Sequence, residues 1–334
     1  MFSKSRFLSW VRTSESQLNS LESHIYKIKG KINLMQVLSG IRKVFVPAPA
    51  KVNLFLAVTG KREDGFHELL SVLVKLKLQD LVTLEFNTQP GSTVLLCPGF
   101  SELENSQNLA VRMVDFWREK TGNDFGITIS IDKQIPIQAG LGGGSSDGVA
   151  TLLGLNALMQ KKLNLNELME IASQVGSDCP SFLLRDLCIA SGRGEHVKEL
   201  GLESKQNKVS GKKLLLFKPT FGFSTAEIYG SLKSSDFSIC KENLISKIAK
   251  WEKGEISLSD FMHNDLEGPV FRKFIFIEAL FKELKDRFQV KPLVSGSGSS
   301  CFVPIPENLD TSPIKDFILE SWGHEIFLHE TYFA

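Results

Sequence analysis

The sequence predicts a mixed α+β protein, and three observations carry that prediction. Short runs rich in Val, Leu, Ile and Phe alternate with longer stretches of helical spacing, a glycine-rich loop at 140–144 joins one such run to a helix, and a polar stretch at 203–213 separates two such units. The 334 residues, 42% hydrophobic and 23% charged, leave room for two domains and a substantial core. No run approaches the roughly 20 apolar residues of a membrane span. The net charge of +1 gives no broad footprint for nucleic acid, so a small-molecule partner is expected.

Residues 1–43 differ from the rest. Lys4, Arg6, Arg12, Lys27, Lys29, Lys31, Arg42 and Lys43 outweigh Glu15 and Glu22, and serine is frequent. That composition fits a transit peptide, which would place the protein in a plastid rather than the cytoplasm. Leu18, Leu21, Ile25, Ile28 and Ile32 also fit an amphipathic docking helix, and Met35 is an alternative start. A dispensable extension without chemistry is expected.

The body opens with a strand over 44–58. Alternation places Val52, Leu54, Leu56 and Val58 on one face and Lys51, Asn53 and Phe55 on the other, so a cation and an amide project together. A solvated strand face is the plainer reading of a lone Lys, but Asn is depleted in strands. A polar turn at 60–65 precedes Phe66, expected in the core, and His67, expected in an exposed turn; strands at 69–78 and 81–86 indicate an antiparallel sheet. Helices are expected at 106–120 and 165–175, with a strand at 125–131 between them. Asp178, ahead of Pro180, reads either as a helix N-cap or as a carboxylate aimed at a reacting centre. Gly192-Arg193-Gly194-Glu195 is a tight turn. Beyond 213 come a strand at 214–217, helices at 224–232, 238–253 and 270–288, a strand at 301–305, a helix at 314–321 and a strand at 325–328.

The stretch that organises the chain is Pro136-Ile137-Gln138-Ala139-Gly140-Leu141-Gly142-Gly143-Gly144-Ser145-Ser146-Asp147. Its glycines permit positive-φ turns and close backbone approach, and Ser145, Ser146 and Asp147 are suited to capping a helix whose face is Val149, Leu152, Leu153, Asn156 and Ala157. Backbone N–H groups and a helix N-terminus then converge on an anion site, suited to phosphate. A glycine-rich turn that merely caps a buried helix is the bland alternative. No Lys follows Gly144 as a P-loop requires, and Ser145 stands where a dinucleotide fingerprint needs glycine. The five cysteines, Cys97, Cys179, Cys188, Cys240 and Cys301, are scattered and odd in number, which suggests reduced thiols, with Cys179 a buried filler rather than a nucleophile.

Taken together these stretches resemble the GHMP kinase superfamily, which includes galactokinase, homoserine kinase, mevalonate kinase and phosphomevalonate kinase. Within it they resemble the branch acting on a cytidine-diphosphate-linked methylerythritol. The superfamily layer is 136–150 and 294–302. The branch layer is 49–56, 60–68, Gly176-Ser177-Asp178-Cys179-Pro180, the turn at Arg193 and Asn264-Asp265-Leu266-Glu267. The resemblance implies a two-domain GHMP kinase fold: a ribosomal-S5-like α/β domain over 44–205 and a ferredoxin-like α+β domain over 206–334, with the active site between them. It implies ATP-dependent phosphorylation of the substrate's 2-hydroxyl in non-mevalonate isoprenoid synthesis, by a monomer or weak homodimer. By the same carry-over Asp178 is the base and Lys51 assists it; 136–146 and Asn108 hold ATP; Ser145 or Ser146 meets Mg²⁺. Phe66 and Tyr229 sandwich the cytosine, His67 bonds its edge, and Asn53 and Thr225 orient the methylerythritol. The family usually has Tyr at the position of Phe66, a second aromatic at Ser181 and Ala at Gly148. A superfamily kinase for a smaller alcohol would share the loops without needing Phe66 and His67. A non-catalytic nucleotide sensor would keep the glycine loop and lose Lys51 or Asp178.

Overall fold

The computed structural model describes residues 43–159, 163–202 and 208–334. The segment 1–42, with the choice among leader, docking helix and over-long start, lies outside them.

Strands β1 (Lys43–Lys61) and β2 (His67–Asn87) form a long antiparallel hairpin. The two strands expected at 69–78 and 81–86 are one, because β2 runs on to serve two partners on one edge. There follow β3 (Thr93–Leu96), α1 (Leu109–Thr121), β4 (Gly126–Asp132), α2 (Gly143–Leu158), α3 (Leu165–Val175), the one-turn α4 (Cys179–Phe182), β5 (Leu187–Gly192) and β6 (His196–Glu199). β4 pairs with residues 81–87 of β2, and β5 with residues 69–74. Residues 203–207, the centre of the expected polar boundary, lie outside the described residues. The division we propose near residue 205 falls between β6 and β7 (Lys213–Lys218). After β7 come α5 (Thr225–Gly230), α6 (Lys241–Lys253), α7 (Leu258–Phe261), β8 (His263–Asn264), α8 (Glu267–Lys273), α9 (Ile275–Phe288), β9 (Leu293–Val294), β10 (Cys301–Pro304), α10 (Ser312–Trp322) and β11 (Phe327–Tyr332).

Seven strands make one sheet, with path β3-β4-β2-β1-β8 and β5 and β6 branching from β2; four make a second, in the order β11-β7-β10-β9. One face of the first sheet packs on α1, α2 and α3 through Val82, Ile129, Trp117 and Leu152. Its other face meets the second sheet and α6 through Val52, Val72, Leu216 and Trp251. β7 is apolar on both faces for this reason: Leu214 and Leu216 face the first sheet, while Leu215 and Phe217 face α8, α9 and α10.

Four expectations are corrected. β1 carries register shifts, one of them between Asn53 and Phe55. A bulge reverses the alternation beyond it, so Phe55 leaves the face of Lys51 and Asn53 and stacks on Phe261 with centroids 5.3 Å apart. α2 is not one-faced: Val149, Ala150, Leu152, Leu155 and Leu158 are all buried, as expected for a helix enclosed between sheet and neighbours. Its N-cap is Gly142, with no side-chain cap bond, so Ser145, Ser146 and Asp147 lie inside the helix instead of capping it. The helix expected at 270–288 is broken at Phe274, whose non-helical backbone (φ −130°, ψ 70°) lets its ring stack on Phe223 at 4.0 Å. α3 behaves as read; Asn164 and Glu167 form a capping box of the kind worth about 1 kcal/mol, and the helix stops at Gly176.

Candidate active site

The glycine loop is locked into β1 by its backbone. Lys51 N donates to Leu141 O at 2.9 Å, which brings the lysine strand against the glycine loop. Gly140 (φ 72°) and Gly142 (φ 69°) are required there. A Cβ on Gly140 would lie 2.4 Å from Ser295 O, and one on Gly142 would lie 2.8 Å from the Phe182 ring. The first helical bond of α2 is Ser146 N to Gly142 O, so the N–H groups of 143–145 precede the ladder and form the positive end of a 16-residue helix.

Lys51 is buried, and its Nζ donates to Asn53 Oδ1 at 2.8 Å. Asn53 Nδ2 in turn donates to Ser71 Oγ at 2.8 Å, and Ser71 Oγ donates to Phe55 O at 2.7 Å. This chain fixes the ammonium 3.5 Å from Asp178 Oδ2. Asp178 occupies the N-cap position of α4 but makes no side-chain cap bond; its carboxylate faces the ammonium. Cys179 beside it is buried, and burial pushes its thiol up to about 12, so it is filler and not a thiolate.

Lys51, Asn53 and Asp178 open into a cavity of about 1030 Å³ whose walls include Phe66, His67, Ser145, Arg193, Thr225, Tyr229 and Ser297. Among the lining residues Asp178 is the one carboxylate, against three cations, Lys51, Lys61 and Arg193, so the cavity suits an anionic occupant. Phe66 is 52% exposed rather than core, and the Arg193 guanidinium sits 5.0 Å from its ring centroid. His67 starts β2 half-buried, its ring 5.3 Å from that of Tyr229, because α5 returns across the end of the hairpin. Burial, and then the charge of Lys61, hold the His67 pKa below its ordinary value; the imidazole is neutral at pH 7, with one donor and one acceptor nitrogen. Thr225 Oγ1 lies 2.9 Å from Ser297 Oγ.

Of the expected nucleotide residues, Gly140, Gly142 and Ser145 line the cavity. Pro136, Ile137, Gln138 and Ala139 form the loop's approach and are fastened to the second glycine loop, where Ser300 N donates to Ala139 O at 3.0 Å. Leu141 is buried, Gly143 abuts Ile135, and Gly144 has open space beside it. Ser146 is buried, and its Oγ has no protein partner. Asn108 caps α1 by accepting from Ala110 N at 2.9 Å and donates to Leu103 O at 3.1 Å. Among the described residues, no group of three or more His, Cys, Asp or Glu side chains could hold a metal, and no helix is long and apolar enough to cross a membrane.

The sequence reading missed Ser71, Lys61 and Arg193. Arg193 carried a signal, a cation held between two glycines of a turn, whereas Ser71 is brought to Asn53 by β-pairing across 18 positions.

Residues 108–185 match the model for the GHMP kinases N terminal domain. A 4-diphosphocytidyl-2-C-methyl-D-erythritol kinase of Protochlamydia amoebophila is 34% identical over 272 residues, covering 81% of this chain and 88% of the relative. One from Carboxydothermus hydrogenoformans is 37% identical, covering 78% and 88%. A crystal structure of 4-(cytidine 5'-diphospho)-2C-methyl-D-erythritol kinase superposes with a TM-score of 0.66 at 31% identity, over 87% of this chain and 100% of that one. Homoserine kinase from Cytophaga hutchinsonii gives 0.68 at 16% identity, which shows the shared fold alone. Identity of 34–37% over about four-fifths of its length shows that the chain belongs to the 4-diphosphocytidyl-2-C-methyl-D-erythritol kinase family of the GHMP kinases.

Proposed function

We propose that this kinase transfers the γ-phosphoryl group of ATP to the 2-hydroxyl of 4-diphosphocytidyl-2-C-methyl-D-erythritol. The observation that carries the reading is the Lys51–Asp178 pair, 3.5 Å apart at the place where the glycine loop meets the anion-suited cavity. Phosphoryl transfer passes through a loose transition state, so positioning and charge neutralisation matter most. In this reading the N–H groups at the start of α2 receive the phosphates, Asp178 takes the hydroxyl proton, and Lys51 stabilises the charge that develops. Asn53 and Thr225 orient the methylerythritol. A Mg²⁺ ion accompanying ATP would neutralise phosphate charge; it usually keeps several waters and takes one or two protein oxygens, and the Ser145 hydroxyl, which lines the cavity, would be one of them. The unpartnered Ser146 Oγ stands one residue further along the same turn. A single steady-state assay with ATP and the cytidylated substrate tests the reading, and absence of turnover rejects it.

Phe66 and Tyr229 would take the cytosine between them, with neutral His67 bonding its edge. Stacking of a base on an aromatic is worth about 1–3 kcal/mol. Tyr229→Ala is therefore expected to raise KM for the cytidylated substrate about 5- to 100-fold while KM for ATP stays unchanged. Equal turnover of a methylerythritol lacking the nucleotide would remove the base site. We further propose that the protein acts as a monomer or weak homodimer in the cytoplasm. Protein beginning at Met35 is expected to keep the full-length kcat.

A further inference from the structure

The segment Asn264-Asp265-Leu266-Glu267 touches none of the groups assigned above, yet it is among the most heavily bonded in the molecule. β8 pairs in parallel with β1, Phe55 opposite His263 and Leu56 opposite Asn264, immediately past Asn53. Asp265 fastens this pairing: its N–H donates to Leu56 O at 2.9 Å, and its carboxylate accepts from Val58 N at 2.8 Å and Ser238 Oγ at 2.9 Å. On the opposite side, the buried Asn264 Nδ2 donates to Val294 O and to Gly296 O, each at 2.8 Å, while its Oδ1 accepts from Leu266 N at 2.9 Å. Glu267 Oε1 accepts from Val294 N at 3.0 Å. Both polar atoms of the Asn264 amide are thus spent, through three hydrogen bonds, on holding backbone.

The loop it holds touches both halves of the reaction. Gly296 lies so close that a Cβ there would be 3.2 Å from Asn53 Oδ1 and 3.8 Å from Lys51 Nζ. Ser295 Oγ donates to Gly140 O at 3.0 Å, Ser300 N donates to Ala139 O at 3.0 Å, and Ser297 Oγ meets Thr225 Oγ1. One loop thereby spans the nucleotide turn, the lysine and the acceptor wall. We propose that Asn264 is a positioning residue for phosphoryl transfer: backed by Asp265 and Glu267, its amide clasps the loop at 294–300 to the strand carrying Lys51 and Asn53 and so sets the donor-to-acceptor distance. The inference rests on the kinase reading above. Because the loop binds both sites at once, loosening it displaces them relative to each other and leaves each site's own binding groups in place.

Asn264→Asp keeps the acceptor for Leu266 N and replaces the double donor by an oxygen facing two carbonyls. It is expected to lower kcat about 30- to 100-fold, the scale of a displacement near 1 Å, with both KM values within about threefold of wild type. Glu267→Met removes only the acceptor of Val294 N and is expected to lower kcat about 3- to 10-fold; it carries the test should Asn264→Asp not fold. In both variants, without any ligand, amide hydrogen exchange at 295–300 should quicken while β1 keeps its protection. A kcat loss no larger than the lost folded fraction by circular dichroism, a change confined to one KM, or unchanged exchange at 295–300 would overturn the proposal. If the wild-type protein fails to phosphorylate the cytidylated substrate, the kinase reading falls, and the exchange measurement still decides whether the clasp exists.

Discussion

Asp178→Asn is expected to lower kcat by about 10²- to 10⁴-fold, the usual range for removing a general base, and to leave ATP affinity unchanged. The substitution is close to isosteric, and it costs α4 nothing at its N-terminus, because Asp178 makes no side-chain cap bond there. Lys51 keeps its bond to Asn53 Oδ1 and stays in place. What disappears is the proton acceptor and the charge facing Lys51. The check is steady-state kinetics with ATP and the cytidylated substrate, together with nucleotide binding measured directly. Turnover near that of wild type would reduce Asp178 to a placeholder at the head of α4. Loss of ATP binding in parallel would mean that the pair holds the nucleotide rather than the acceptor.

How much of this was legible in the sequence depended on whether the determinant was local. The strand carrying Lys51, the glycine loop, α3 and the turn at Arg193 are written in short spacings, and they appear where those spacings put them. The orientation of Phe55 was not legible, since the bulge beyond Asn53 arises from pairing with β2 and has no signature within β1. Phe66 was misread as core because an aromatic defaults to burial; only the wall formed with Arg193 and Tyr229 gives an exposed ring a purpose. β8 is two residues long and pairs in parallel with a strand some 200 positions earlier, so no window along the chain contains its cause. Asn108, which the resemblance assigns to the nucleotide, caps α1 through its amide.

Lys133→Met should destabilise the protein by about 3–5 kcal/mol, the scale for removing one partner of a buried ion cluster. Lys133 Nζ lies 2.5 Å from Asp80 Oδ2 and 2.7 Å from Asp147 Oδ2, with all three side chains at most 4% exposed. Asp80 Oδ1 accepts from Gln134 N and Ile135 N, so the cluster ties β2, the entry to the glycine loop and the first turn of α2 into one joint. Burial opposes the Lys133 charge, but Asp147 and Asp80 outweigh it and raise the ammonium's pKa. Burial pushes Asp147 up to about 7, Lys133 opposing the rise and Asp80 adding to it. The sign follows directly. A carboxyl whose folded pKa lies above its unfolded value binds more protons when folded, so its contribution is fully present below the unfolded pKa, near 4, and is lost as pH rises through about 7. Without Lys133 the attraction that opposes the rise at Asp147 is gone, Asp147 favours its protonated form more strongly, and the deficit of Lys133→Met should therefore shrink on acidification from pH 8 to about pH 5. Asp147→Asn removes the surplus negative charge while leaving the Asp80–Lys133 pair intact, and should cost much less than Lys133→Met. Urea unfolding of the three proteins across that pH range reads all of this from the midpoints. A loss for Lys133→Met below about 1 kcal/mol, or one that does not change with pH, would show that the cluster is hydrated and does not carry the loop.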